Sequence, residues 1–172
     1  MSRTKKIVII ALLVAQALVL YLVERMIPFN FGIPGAKLGL ANIITLVSLF
    51  IFGFKETFMV VVLRVLMSNL MGGSISSLLF SLSGGLLSFF IMYLLKRIGK
   101  DKISIIGISI VGAVFHNIGQ ILMAAFVIHN LKIVVYLPVL LISGVATGFF
   151  VGITVSYILK ILKNTGLFKI NY

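Results

Sequence analysis

The stretch PGAKLGLAN, residues 34–42, separates two long apolar runs, and the rest of the chain is arranged around it. Pro34 and Gly35 are typical of a tight turn, and the small residues around them let a backbone or a ligand approach closely. Lys37 and Asn42 lead directly into hydrophobic sequence. Two interpretations are open: a loop that folds back over the mouth of a membrane cavity, or a plain interhelical turn with an interfacial lysine.

Composition places the chain in a membrane. Its 172 residues are 61% hydrophobic and 10% charged, with a mean hydropathy of +1.27, whereas a soluble domain carries roughly 25% charged residues. We therefore expect one transmembrane domain over residues 1–172. The cations behind the net charge of +12 flank the apolar runs. They are explained by lipid headgroups and membrane orientation, so no nucleic-acid partner is expected.

The apolar segments predict an all-α bundle of six transmembrane helices. A spanning helix needs about 20 residues, and the third segment, which contains Arg64, is the shortest. With the N-terminus inside, eleven Lys and Arg residues fall on the inner side and three on the outer side, as the positive-inside rule requires. We therefore expect a multi-pass protein of the cell membrane with both termini in the cytoplasm. The segments are residues 7–27, 38–54, 57–71, 75–95, 103–128 and 133–162.

Arg64 is the strongest single indication of a functional site. A charge at the centre of a bilayer costs ~2.5–3.5 kcal/mol on insertion scales, so such a residue usually faces the bundle interior or a wet cavity. Arg64 could bind an anionic or carbonyl group of a substrate. Alternatively, it could form structural hydrogen bonds to carbonyls at a broken helix.

A second polar cluster lies halfway along the fifth segment. His116, Asn117 and Gln120 are three and four residues apart, which places them on one side of a helix. They predict a polar site at the bundle centre, which Asn42 of the second helix could also face. Hydrogen bonding between helices is the structural alternative. No metal site is expected, because no carboxylate lies near these residues in the sequence.

Small residues mark packing faces on two of the predicted helices. Ala11 and Ala15 lie on the first helix, and Gly144, Gly148 and Gly152 on the last. Both patterns permit close helix contact, either within the bundle or with a partner subunit.

Three acidic residues in the whole sequence are too few for an aspartate-rich magnesium site. The sequence has no cysteine and no GxxxxGK[ST] motif. We therefore expect neither an enzyme nor a cofactor.

The segments IPGAKLGLAN (33–42) and FHNIGQ (115–120), together with Thr45, resemble the Gx transporter family, often labelled heptaprenyl diphosphate synthase component I. The resemblance extends from about residue 11 to residue 157. This family is similar to the substrate-binding S components of energy-coupling-factor (ECF) transporters. The resemblance implies a six-helix bundle with a pocket near the outer face, covered by the loop between the first two helices. It also implies that Ala11 and Ala15 dock onto a coupling subunit that carries two ATPases.

The leading hypothesis is an S-component-like subunit that captures a small organic nutrient, which we expect to be anionic or carbonyl-bearing. Energy for uptake would come from the partner ATPases. One alternative is a non-catalytic membrane subunit that handles an isoprenoid or quinone intermediate. Another is a self-assembling channel or scaffold built on the glycine residues. The predicted substrate-binding residues are Lys37, Asn42, Arg64, His116, Asn117 and Gln120.

Overall fold

A computed structural model describes residues 2–26, 39–99, 102–166 and 168. These residues form six α-helices and one short 3₁₀ helix, Leu131–Tyr136, and contain no strand. The predicted all-α class is therefore confirmed. The helices are α1 (Arg3–Met26), α2 (Leu40–Ile51), α3 (Phe54–Leu70), α4 (Ile75–Gly99), α5 (Ile105–Ile128) and α6 (Leu137–Asn164).

Local sequence explains where the helices begin and end. The turn between α2 and α3 contains Gly53 at φ 102° and ψ −149°, a conformation that is open essentially to glycine. Before α5, the Ser104 hydroxyl accepts a hydrogen bond from the Gly107 N–H at 3.0 Å, which caps the helix. α6 begins at Leu137 rather than near residue 133 as predicted. Pro138 suits the first turn of an α-helix, and the residues before it form the 3₁₀ helix instead.

Among the residues that the structure describes, four apolar helical segments are long enough to cross a membrane: α1, α4, α5, and the 3₁₀ helix together with α6. The chain is therefore a helical, membrane-embedded protein. At ~1.5 Å per residue, the 12 residues of α2 cover ~18 Å, less than the ~30 Å thickness of a bilayer core. Nine of those residues are buried, so α2 contacts mainly protein. The count of six spans stays a prediction.

Two contacts bring basic residues to one end of the bundle. Lys6 at the start of α1 forms an ion pair with Glu56 at the start of α3. Lys96 near the end of α4 donates a hydrogen bond to the Leu49 carbonyl of α2 at 2.8 Å. This shared end joins the first turns of α1 and α3 to the last turns of α2 and α4, so the first four helices alternate in direction. The prediction that this end faces the cytoplasm follows from its positive charge.

α5 packs closely against both α4 and α6 through glycine. A Cβ atom on Gly119 of α5 would lie 2.9 Å from the Gly84 Cα of α4. On α6, a Cβ atom on Gly148 or Gly152 would lie 2.7 Å from the Cα of Ile110 or Ile106, respectively. The glycine residues of α6 are therefore used for packing within the chain, which leaves them less able to receive a partner.

We expect Gly148→Ala to destabilise the protein, because its new methyl group meets the backbone of α5. Overpacking of this kind costs about 1–3 kcal/mol. Gly107→Ala is the matched control, since its Cβ would have ordinary contacts of 3.4 Å or more. The control should unfold at or above the wild-type temperature. Thermal unfolding in detergent compares the two variants, and equal midpoints would contradict the proposed packing.

Candidate functional site

Arg64 lies inside the bundle with 8% of its surface exposed. It shares one face of α3 with Val60, Val61 and Val65, whose burial turns this face toward the core. Its Nη2 atom donates a hydrogen bond to the Asn42 Oδ1 atom of α2 at 2.9 Å. Its Nε atom is enclosed and has no hydrogen-bond acceptor among the described residues. A guanidinium has five N–H donors, so Arg64 retains capacity to bind another polar group.

Glu24 supplies the opposite charge near Arg64. It lies in the last turns of α1 and interacts electrostatically with the guanidinium. Its Oε1 atom also accepts a hydrogen bond from the Gly39 N–H at 2.7 Å. Gly39 precedes α2 in the left-handed conformation, with φ 71°. Glu24 therefore joins the end of α1 to the start of α2 and also offsets part of the buried positive charge.

Helices α1 to α5 enclose a small cavity around these groups. Arg64, Asn42, His116, Gln120 and Glu24 supply most of its polar lining, and the cavity has a volume of about 50 Å³. A water molecule occupies roughly 30 Å³ in the liquid, so the space suits a small polar group rather than a whole nutrient. The other lining residues are Ala17, Tyr21, Gly39, Ala41, Val65, Ser68 and Ser81.

Asn117 points toward α6. Its Nδ2 atom donates a hydrogen bond to the Leu140 carbonyl at 2.6 Å, and Gly144 leaves room for this contact. Asn117 also borders a second cavity of about 20 Å³, which shares His116 and Gln120 with the first. Its main visible contact therefore joins α5 to α6, as in the structural alternative of interhelical hydrogen bonding.

A larger cavity, which we call the serine groove, adjoins the small one and has a volume of about 360 Å³. One wall contains Ser74, which precedes α4, together with Ser76, Ser77, Phe80 and Ser81 of α4. Its opposite wall is mostly apolar and contains Ile121, Ala124, Ile128, Ile133, Tyr136 and Leu140. The groove lies toward the end of the bundle opposite the basic residues, because it contains the start of α4 and the end of α5.

The structure brings four of the six predicted binding residues to one cavity: Asn42, Arg64, His116 and Gln120. Asn117 lies beside them, and Lys37 falls outside the described residues. Thr45, which also belongs to the family resemblance, does not line this cavity and is enclosed in the core with 1% exposure. Within the described ranges, no cluster of three His, Cys, Asp or Glu side chains could hold a metal ion.

Sequence reasoning missed Glu24, although a signal for it was present. Glu24 is one of three acidic residues in the chain, and it lies near the end of the first apolar run. An acidic residue at the end of an apolar helix usually lies at the membrane interface or interacts with a cation inside the bundle. Its electrostatic effect on Arg64 could be found only by knowing which helix ends meet.

The fold and cavity define a helical membrane protein with a polar, partly charge-balanced site between its helices. The family model described as heptaprenyl diphosphate synthase component I matches residues 13–158, and the chain belongs to this family. The resemblance found in residues 33–42 and 115–120 is thus confirmed at the level of the family. No curated protein and no solved structure matches the chain.

We expect the Arg64–Asn42 hydrogen bond to stabilise the bundle by ~1 kcal/mol beyond the separate effects of its partners. Thermal unfolding of Arg64→Leu, Asn42→Ala and the double variant in detergent measures this coupling energy. A control cycle combines Arg64→Leu with Asn130→Ala, since the Asn130 side chain caps the 3₁₀ helix instead. The control pair should be additive within ~0.5 kcal/mol. Additivity of the Arg64–Asn42 pair would show that the contact contributes nothing.

Proposed function

We propose that the protein is a membrane-embedded, S-component-like subunit that binds a small organic nutrient for uptake. The observation that carries this proposal is a buried Arg64 with an unused donor at a cavity that also contains His116 and Gln120. A buried charge is costly unless hydrogen bonds and an opposite charge stabilise it. The Nη2 atom of Arg64 has a hydrogen-bond acceptor, whereas its Nε atom has none among the described residues. This unused donor supports a role in ligand binding over a purely structural one.

The ligand must offer hydrogen-bond acceptors to this cavity. Arg64 donates N–H groups, and Gln120 adds both donors and an acceptor. Glu24 offsets part of the Arg64 charge, so a carbonyl group would satisfy the site without a full negative charge. An anion would use the same donors, and Lys37, which lies outside the described residues, remains a proposed contributor.

Coupling to partner ATPases is supported by the outer surface of α1. Ala11, Ala15 and Gln16 are exposed on this helix, next to exposed Leu12. Small residues allow a second helix to approach closely, and an amide in the apolar region favours a hydrogen-bonding neighbour. We propose this surface as the docking site for an ECF-type coupling subunit. The protein itself would be non-catalytic and would take its energy from the partners.

We expect Arg64→Ala to lower the amount of bound small molecule that co-purifies with the protein by about tenfold or more. A hydrogen bond to a charged group contributes ~1.5–3 kcal/mol, and ~1.4 kcal/mol corresponds to tenfold. Mass spectrometry of extracts from protein purified out of its native membrane measures this amount. Arg97→Ala is the matched control, because Arg97 is exposed near the end of α4. Equal ligand content in Arg64→Ala and wild type would refute the proposed site.

We expect Ala11→Leu and Ala15→Leu to abolish co-purification of a coupling subunit while leaving the small-molecule content unchanged. Each added side chain would hold a partner helix away from α1. The control is Ala146→Leu, which changes another exposed alanine, on α6. Affinity purification from native membranes, followed by identification of the partners, gives the result. Unchanged partner recovery in both α1 variants would exclude this face as the docking surface.

A second candidate function is the handling of an isoprenoid or quinone intermediate by a non-catalytic membrane subunit. The apolar wall of the serine groove favours it, and the family name refers to a component of a heptaprenyl diphosphate synthase. Mass spectrometry of the co-purified molecule distinguishes the two functions, since a polyprenyl species supports this one and a vitamin-like molecule supports the first. The self-assembling scaffold is disfavoured, because its glycine residues pack within the chain.

A further inference from the structure

The geometry points to an amphipathic ligand that occupies two adjoining cavities at once. Its polar head would contact Arg64, and its apolar tail would lie in the serine groove. This inference rests on the proposed function and specifies the substrate class. It follows from the sizes, the chemistry and the connection of the two cavities.

The two cavities share part of their lining. Ser81 of α4 and Gln120 of α5 border both the small cavity at Arg64 and the serine groove. A molecule bound in the groove can therefore reach the small cavity past these two polar side chains. Ser81 is half-buried, and its hydroxyl can turn to donate or accept along that path.

The two cavities differ in size, so each suits a different part of the ligand. The small cavity of about 50 Å³ has room for a head group of a few atoms. The groove of about 360 Å³ lies within the ~300–1,000 Å³ range of ordinary ligand sites. Arg64 thus lies at the narrow end of a larger space, where it can bind one end of a ligand and leave the remainder in the groove.

The groove itself suits an apolar tail. On α5, Ile121, Ala124 and Ile128 follow one another along the same wall, and at ~1.5 Å per residue the path from Gln120 to Ile128 is ~12 Å. Leu140 and Tyr136 continue the wall onto the next segment. No charged side chain lines the groove among the described residues. A compact, fully polar nutrient would make no apolar contact with this wall.

A photoreactive fatty acid tests this inference directly. The probe is dodecanoic acid with a diazirine near its methyl end, added to the full chain in phosphatidylcholine nanodiscs. We expect irradiation to label residues 121–140, as read by peptide mass spectrometry. Arg64→Gln removes the head contact, whereas Ala124→Phe and Ser77→Phe fill the groove from opposite walls. Each variant should reduce the labelled fraction by about tenfold, the effect of losing ~1.4 kcal/mol of binding.

Two controls and a folding measurement accompany these variants. Arg97→Gln removes an exposed arginine, and Ala146→Phe adds the same ring on the outer side of α6. Both should keep wild-type labelling. Size-exclusion elution and thermal unfolding identify any variant that fails to fold. The two groove variants provide independent evidence because Ala124 is buried, whereas Ser77 is only half-buried and tolerates a larger side chain more easily.

Each outcome decides the question. Loss of labelling in Arg64→Gln and in a folded groove variant supports one ligand that spans both cavities. Loss in the groove variants alone shows that the groove takes acyl chains independently of Arg64, as a membrane lipid would, and overturns the inference. Loss in Arg64→Gln alone, or in none, also overturns it. The proposed function would survive these failures if Arg64→Ala still lost its co-purified small molecule.

Discussion

The bundle depends on how one guanidinium is accommodated in an apolar interior. Arg64 is enclosed by helices that expose hydrophobic side chains on their outer faces. Its charge is stabilised by the Asn42 side chain and by the electrostatic effect of Glu24. These two residues come from α2 and α1, so the accommodation of Arg64 requires three helices to meet. The same requirement brings the start of α2 against the end of α1.

The burial of α2 follows from this arrangement. A 12-residue helix is too short to match a bilayer by itself, but protein surrounds most of it. Ser48 and Thr57 connect it to α3 by a buried hydroxyl contact of 3.1 Å, and Lys96 satisfies the carbonyl of Leu49 near its end. Unpaired backbone groups are expensive in lipid. The Lys96 side chain therefore satisfies a backbone group at the end of the short helix, which would otherwise be unpaired.

Periodicity and charge allowed the helical plan and part of the candidate site to be predicted. The helical spacing of His116 and Gln120 placed them on one face, and the cost of a buried charge placed Arg64 in the interior. Spacing could not distinguish Asn117, which lies on the same side of α5 but is directed to α6 by the space at Gly144. The role of Glu24 could not be predicted from spacing either, because it depends on contacts between distant segments.

The bundle has two kinds of helix contact. α5 approaches both α4 and α6 through glycine at backbone distance, whereas α1, α2 and α3 pack with larger side chains between them. The small cavity lies on the border of these two groups, with α1 to α3 on one side and α4 and α5 on the other. Separating the glycine contacts would open many close contacts together. Enlarging the cavity along this border would therefore separate side-chain contacts of the hydrophobic core, which joins both groups, and leave the glycine contacts of α5 in place.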